Sequence, residues 1–128
     1  MGYGFSERIN VPYEEAVEKI KAALKEQGFG VLTEIDVRAT LKKKLNVEFE
    51  KYVILGACNP PFAYKALQTE EEIGLLLPCN VIVYEPEEGV SVLSAINPME
   101  AMSIVDNPSL EDIARKIGEK LKRALEAM

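Results

Sequence analysis

The sequence predicts an α+β fold, a sheet of about five strands with two or three helices packed on one face. Short runs of alternating or β-branched residues recur along the chain, between segments whose apolar residues fall at helical spacing. Each long helical segment carries a single apolar stripe and so has one face to bury, a pattern that a helical layer on a sheet satisfies. Gly, Pro and Asn punctuate the boundaries.

Tyr3 to Asn10 alternates as a first strand. Pro12 then opens a helix with Ala16, Val17, Ile20, Ala23 and Leu24 on one side, and Gly28 ends it. Phe29 to Ile35 gives the second strand, and Asp36, a good N-cap, starts a weak polar helical turn reaching Leu45. The third strand is expected from about Val47 to Ala57. Its centre, Tyr52-Val53-Ile54-Leu55, is apolar without alternation, which predicts cover on both sides, by helices or by a helix and a subunit.

Asn59 before Pro60 is a natural helix start, followed by a narrow stripe of Ala63, Ala66 and Leu67 that stops before Glu70-Glu71-Glu72. Asn80 to Glu85 and Val90 to Ile96 form a hairpin through Pro86-Glu87-Glu88-Gly89. After Asn97-Pro98 and Asn107-Pro108, Ser109 and Asp112 make a capping-box pattern ahead of the last helix. Leu110, Ile113, Ala114, Ile117, Leu121, Leu125 and Met128 mark its apolar stripe. No repeat, low-complexity tract or linker divides the chain, so residues 1–128 are expected to form one domain.

With 48% hydrophobic and 28% charged residues, the composition is that of a globular chain that buries a core of its own. Fifteen basic against twenty-one acidic residues leave a net charge of -6, which repels phosphate backbones and argues against a nucleic-acid partner. The one basic cluster, Arg38, Lys42, Lys43 and Lys44, reads as the solvated face of a short helix. No apolar run approaches a membrane span, and the longest, Ile73 to Leu77, contains Gly74 and stops at Pro78. Nothing in the first residues resembles a secretory signal, so a cytoplasmic location is expected. Gly2 with Ser6 fits the short myristoylation pattern, but Tyr3, Phe5 and Ile9 fit a strand better.

There is no histidine, which removes Ser-His-Asp and Cys-His catalysis and every histidine-ligated metal site within the chain. No glycine-rich phosphate loop of the GxxxxGK[ST] or GxGxxG type occurs either. The chemistry left is that of two cysteines at strand ends. Cys58 precedes the expected N-cap Asn59, where helix dipole and free amides would favour a thiolate. Cys79 follows Pro78 and precedes Asn80. The ligand-binding or reactive-site candidates are therefore Cys58, Asn59, Cys79 and Asn80, with Cys58 and Cys79 the metal-ligand candidates.

In a reducing compartment a permanent disulfide is disfavoured, and twenty intervening residues exceed any CxxC spacing, so only the fold can bring the thiols together. If it does, a reversible disulfide or half of a tetrahedral zinc set, completed by a two-fold partner, is chemically reasonable. If it does not, both are small core residues. Met99 and Met102 would suit Cu(I) beside thiolates but also serve as core fillers. Glu70 to Glu72 diverge around a helix rather than converge on a metal.

Gly56-Ala57-Cys58-Asn59-Pro60, then Ala66-Leu67, Gly74-Leu75-Leu76-Leu77-Pro78-Cys79-Asn80-Val81, Tyr84-Glu85 and Asn97-Pro98-Met99 together resemble the domain-of-unknown-function family 302. The resemblance implies a stand-alone α/β domain, commonly a homodimer, similar in fold to the TATA-binding-protein-like group, with a curved, mainly antiparallel sheet. It implies no settled activity or cofactor. Three functions compete: a homodimeric small-ligand or metal-binding domain using the cysteine sites, a thiol-dependent redox or transferase enzyme, and a structural dimerisation module.

Overall fold

The computed structural model describes residues 2–128. Five strands, β1 (Gly4–Ile9), β2 (Gly30–Asp36), β3 (Tyr52–Cys58), β4 (Cys79–Glu87) and β5 (Val90–Ile96), form one sheet in the order β1-β5-β4-β3-β2. Every neighbouring pair is antiparallel. The helices are α1 (Tyr13–Glu26), α2 (Val37–Leu45), α3 (Pro60–Thr69), α4 (Pro98–Ala101) and α5 (Ser109–Glu126), with 3-10 turns at Glu71–Leu76 and Met102–Ile104.

Two or three helices is therefore too few, for a physical reason. A four-residue α4 is too short to show a helical period, and α2 has no buried residue and hence no apolar stripe. The helices that cover the sheet are the two with clear stripes. From α1, Ala16, Val17, Ile20, Ala23 and Leu24 meet Val53, Leu55, Ala57, Val81, Val83, Leu93 and Ala95 from the strands and Ile117, Leu121, Ala124 and Leu125 from α5. Burying a side chain such as Ile20, Leu55 or Leu121 contributes about 1.5–3 kcal/mol each.

A smaller cluster joins Ala66 of α3, Ile73, Met102 and the first half of α5 through Leu110 and Ala114. One helix thus runs from this cluster onto the sheet.

Local chemistry accounts for the boundaries. The first turn of α1 has no cap from its own segment, and Glu85 of β4 accepts the Tyr13 N–H instead at 3.3 Å. Gly28 closes α1 at φ +87°, a conformation that costs glycine little. Asp36 caps α2 through the Ala39 N–H at 2.9 Å.

Four sequence expectations shift. β3 starts at Tyr52 rather than Val47, because residues 47–51 have no ladder partner. Only one face of β3 lies under α1 and α5; Tyr52 and Ile54 on the other face stay partly exposed. The β4–β5 turn tightens to Glu88-Gly89, with Gly89 at φ +80° and Pro86, which has no N–H to give, absorbed in a register shift between Tyr84 and Glu87. No capping box forms at Ser109; Asn107 Oδ1 accepts the Ser109 N–H at 3.1 Å, while Asp112 pairs with Arg115 and Lys116.

Candidate functional site

Strand alternation decides what the four candidate residues can do together. Ala57 pairs with Cys79 in the ladder, and both point into the sheet core. Cys58, the next residue along β3, therefore faces the opposite way. Both thiols are free.

Cys79 is 5% exposed, and its thiol is pushed up to about 11, first by burial and then by the nearby Cys58. It keeps its proton at neutral pH, which makes the free thiol a weak nucleophile there. Among the described residues no group of three or more His, Cys, Asp or Glu side chains is arranged to hold a metal.

Cys58 is half-buried and lines a cleft of about 310 Å³. β3 supplies Ala57 and Cys58, α3 supplies Ala63 and Leu67, the segment leading into β4 supplies Gly74, Leu77 and Pro78, and α5 supplies Ile117. Leu32 of β2 forms the remaining wall. Among the described residues, Cys58 and Asn59 are the only lining residues with polar side-chain atoms. The amides expected beside Cys58 are few: α3 begins Pro60-Pro61, which have no N–H, and the Ala63 N–H bonds Asn59 O at 2.9 Å.

Asn59 occupies the N-cap position but does not cap with its side chain. Its Nδ2 donates to Gln27 O at 3.1 Å, tying the end of α1 to the start of α3. A Cβ on Gly28 would sit 3.1 Å from that Nδ2, so the glycine also admits the amide. Asn59 is 7% exposed, and no donor among the described residues reaches its Oδ1. Since no fully buried side-chain polar atom among the described residues lacks a partner, that oxygen keeps some contact with solvent.

Asn80 belongs elsewhere. It pairs with Gly56 and lines an open trough on the sheet face away from α1 and α5. Cys58 and Asn59 thus share one cleft, Cys79 is in the core, and Asn80 is exposed on another surface. The trough itself, with Tyr52 and Tyr84 at its wall, was not identifiable from the spacing of five scattered tyrosines. The available signal was period two, since Tyr52 and Ile54, then Asn80, Ile82 and Tyr84, share one face.

Met99 and Met102 line a separate hollow with Asp106 and Glu111, where Met102 is core and Met99 is 40% exposed.

A five-stranded, all-antiparallel sheet with helices on one face and a small apolar cleft at a strand end defines an α+β domain. The family model described as "Domain of unknown function DUF302" matches residues 5–128, and the chain belongs to that family. A protein of Aquifex aeolicus (strain VF5), described as uncharacterized, is 26% identical over 125 residues, 94% of this chain and 81% of the relative. The crystal structure of an uncharacterized conserved DUF302 protein from Bacillus stearothermophilus superposes with a TM-score of 0.90 at 29% identity, covering 98% of each chain. No helix among the described residues is long and apolar enough to cross a membrane.

Proposed function

We propose that the protein binds a small, largely apolar molecule in the Cys58 cleft, with the Asn59 carboxamide oxygen accepting a hydrogen bond from it and the Cys58 thiol beside it. The observation that carries this reading is the lining: apolar walls to which Cys58 and Asn59 add the polar side chains among the described residues, in a volume of about 310 Å³. That volume lies at the lower end of the roughly 300–1,000 Å³ typical of small-molecule sites. A two-thiol redox cycle has less support, because Cys79 faces the core with its proton held.

The test has two parts. Limiting iodoacetamide on the native protein, read by intact mass and peptide mapping, is expected to modify Cys58 and spare Cys79. Benzamide, followed by amide chemical shifts, is expected to perturb Ala63, Leu67 and Ile117, and to lose that effect once Cys58 is alkylated. Shifts that persist unchanged after alkylation, or none at millimolar probe, would overturn the reading.

A second reading, association with another copy of the chain, is favoured by α2. This nine-residue helix buries nothing, and Leu32, Ile35, Leu45, Val47 and Phe49 around it are exposed. A polar-faced helix this short is marginal in water without packing, and a partner over this edge would supply it. Light scattering during size exclusion is expected to give a dimer that Leu45→Glu converts to monomer; a monomer for the unaltered chain would rule this reading out.

A further inference from the structure

The sheet face opposite α1 and α5 carries a trough of about 620 Å³ that shares no lining residue with the Cys58 cleft. Its floor holds Ser6 and Ser94, whose hydroxyls bond each other, together with Asn80 and Ile82. Tyr3 stands on one side, and Tyr52, Tyr84 and Glu50 stand on the other.

The Tyr52 and Tyr84 rings stack at 5.4 Å with 13° between planes. Among the described residues no Lys or Arg lines the trough, and Arg8 of β1 is paired with Glu87 at 3.1 Å. The single charged lining residue is Glu50, in a chain of net charge -6.

We propose that this trough binds a small organic cation, an alkylammonium or quaternary ammonium carried on a short neutral body. Aromatic faces attract such a cation through their ring quadrupoles, and a quaternary ammonium is the group that aromatic sites accept with the least loss of hydration. Glu50 supplies the complementary charge. The hydroxyls of Ser6 and Ser94 and the Asn80 amide, on the floor, suit a hydroxyl or carbonyl on the neutral body.

The electrostatics of the wall agree. Tyr52 holds its proton above the ordinary tyrosine value, first through burial and then through Tyr84, Glu50 and Tyr3, so the wall presents a neutral ring and leaves its negative charge to Glu50. An anionic ligand would meet Glu50 with no Lys or Arg among the described lining residues to offset it. That excludes carboxylates and phosphates as the class.

Choline and its neutral isostere 3,3-dimethylbutanol are the probes. The chain has no tryptophan, so tyrosine emission reports the trough, with amide shifts to locate binding. Choline is expected to bind at least about tenfold tighter than the isostere. Glu50→Gln is expected to weaken choline several-fold and leave the isostere unchanged, while Tyr84→Leu weakens choline without altering the far-ultraviolet dichroism. Equal binding of the two probes, or no binding at millimolar choline, overturns the proposal. So do trough shifts that follow protein concentration rather than choline, which would mean that a second copy covers this face.

Discussion

Replacing Gly56 by alanine tests the packing at the junction that positions the Cys58 cleft. Gly56 lies mid-ladder between Thr33 of β2 and Asn80 of β4. A Cβ there would fall far inside contact distance of Thr33 Oγ1 and 2.8 Å from Pro78 Cγ. The Pro78 ring cannot rotate away, and Thr33 can escape only by turning its hydrogen toward the new methyl. Overpacking of this kind costs about 1–3 kcal/mol, and two simultaneous contacts place Gly56→Ala toward the upper end, about 2–3 kcal/mol. The reduced entropy of the unfolded chain returns about 0.5 kcal/mol. With about 2.1 cal/mol/K of unfolding entropy per residue over 128 residues, the net loss of about 1.5–2.5 kcal/mol lowers Tm by about 6–9 °C. Urea denaturation followed by dichroism would give the free energy, with an unchanged m-value as the sign that only stability moved. Thr33→Ala in the same chain relieves the first contact and is expected to restore part of the loss. A Gly56→Ala protein within about 0.5 kcal/mol of the unaltered chain, or no recovery in the double variant, would refute the reasoning.

Three further outcomes follow from the geometry. The folded Cys79 thiol titrates at about 11 against an ordinary 9.0, so the unfolded chain loses its proton first; stability is full below pH 9 and falls as pH climbs toward about 11. Cys79→Ala should flatten that part of the urea-midpoint profile, and an identical fall in the variant would contradict the assignment; Tyr13, pushed up to about 12, extends the loss beyond it. Asn59→Asp replaces the amide that donates to Gln27 O by a carboxylate facing a carbonyl, and should cost more than Asn59→Ala, itself about 1–2 kcal/mol; the reverse order would show that the bond is not what holds α1 to α3. Leu121→Ala, at 0% exposure, should cost about 2–5 kcal/mol by chemical denaturation, with a value below 1 indicating a core that collapses around the gap.

The parts of the fold legible in the sequence were those written in local periods. The stripes of α1 and α5, the alternation in β1 and the turn residues before β5 are all local signals, and both helices and both strands stand close to where those signals put them. The site was less legible, because it depends on cross-strand register. That Cys79 sits beside Ala57 rather than Cys58 fixes the two thiols on opposite faces, and a one-residue difference in pairing would have reversed the outcome. Caps were misread where a tertiary partner intervened: Asn59 turns to Gln27, and Glu85 reaches α1 from a strand seventy-two positions away. No reading of a helix start taken alone includes such a partner.

The register shift between Val31 and Thr33 sets what kind of assembly the β2 edge can support. A bulge bends its strand and increases the local twist, so the outward row of backbone donors and acceptors on β2 is interrupted near its middle. An approaching strand can match one half of that row but not the whole. Copies brought together at this edge would have to be held by side chains from β2 and α2, an arrangement that favours a closed pair and works against open-ended stacking of sheet on sheet into fibres.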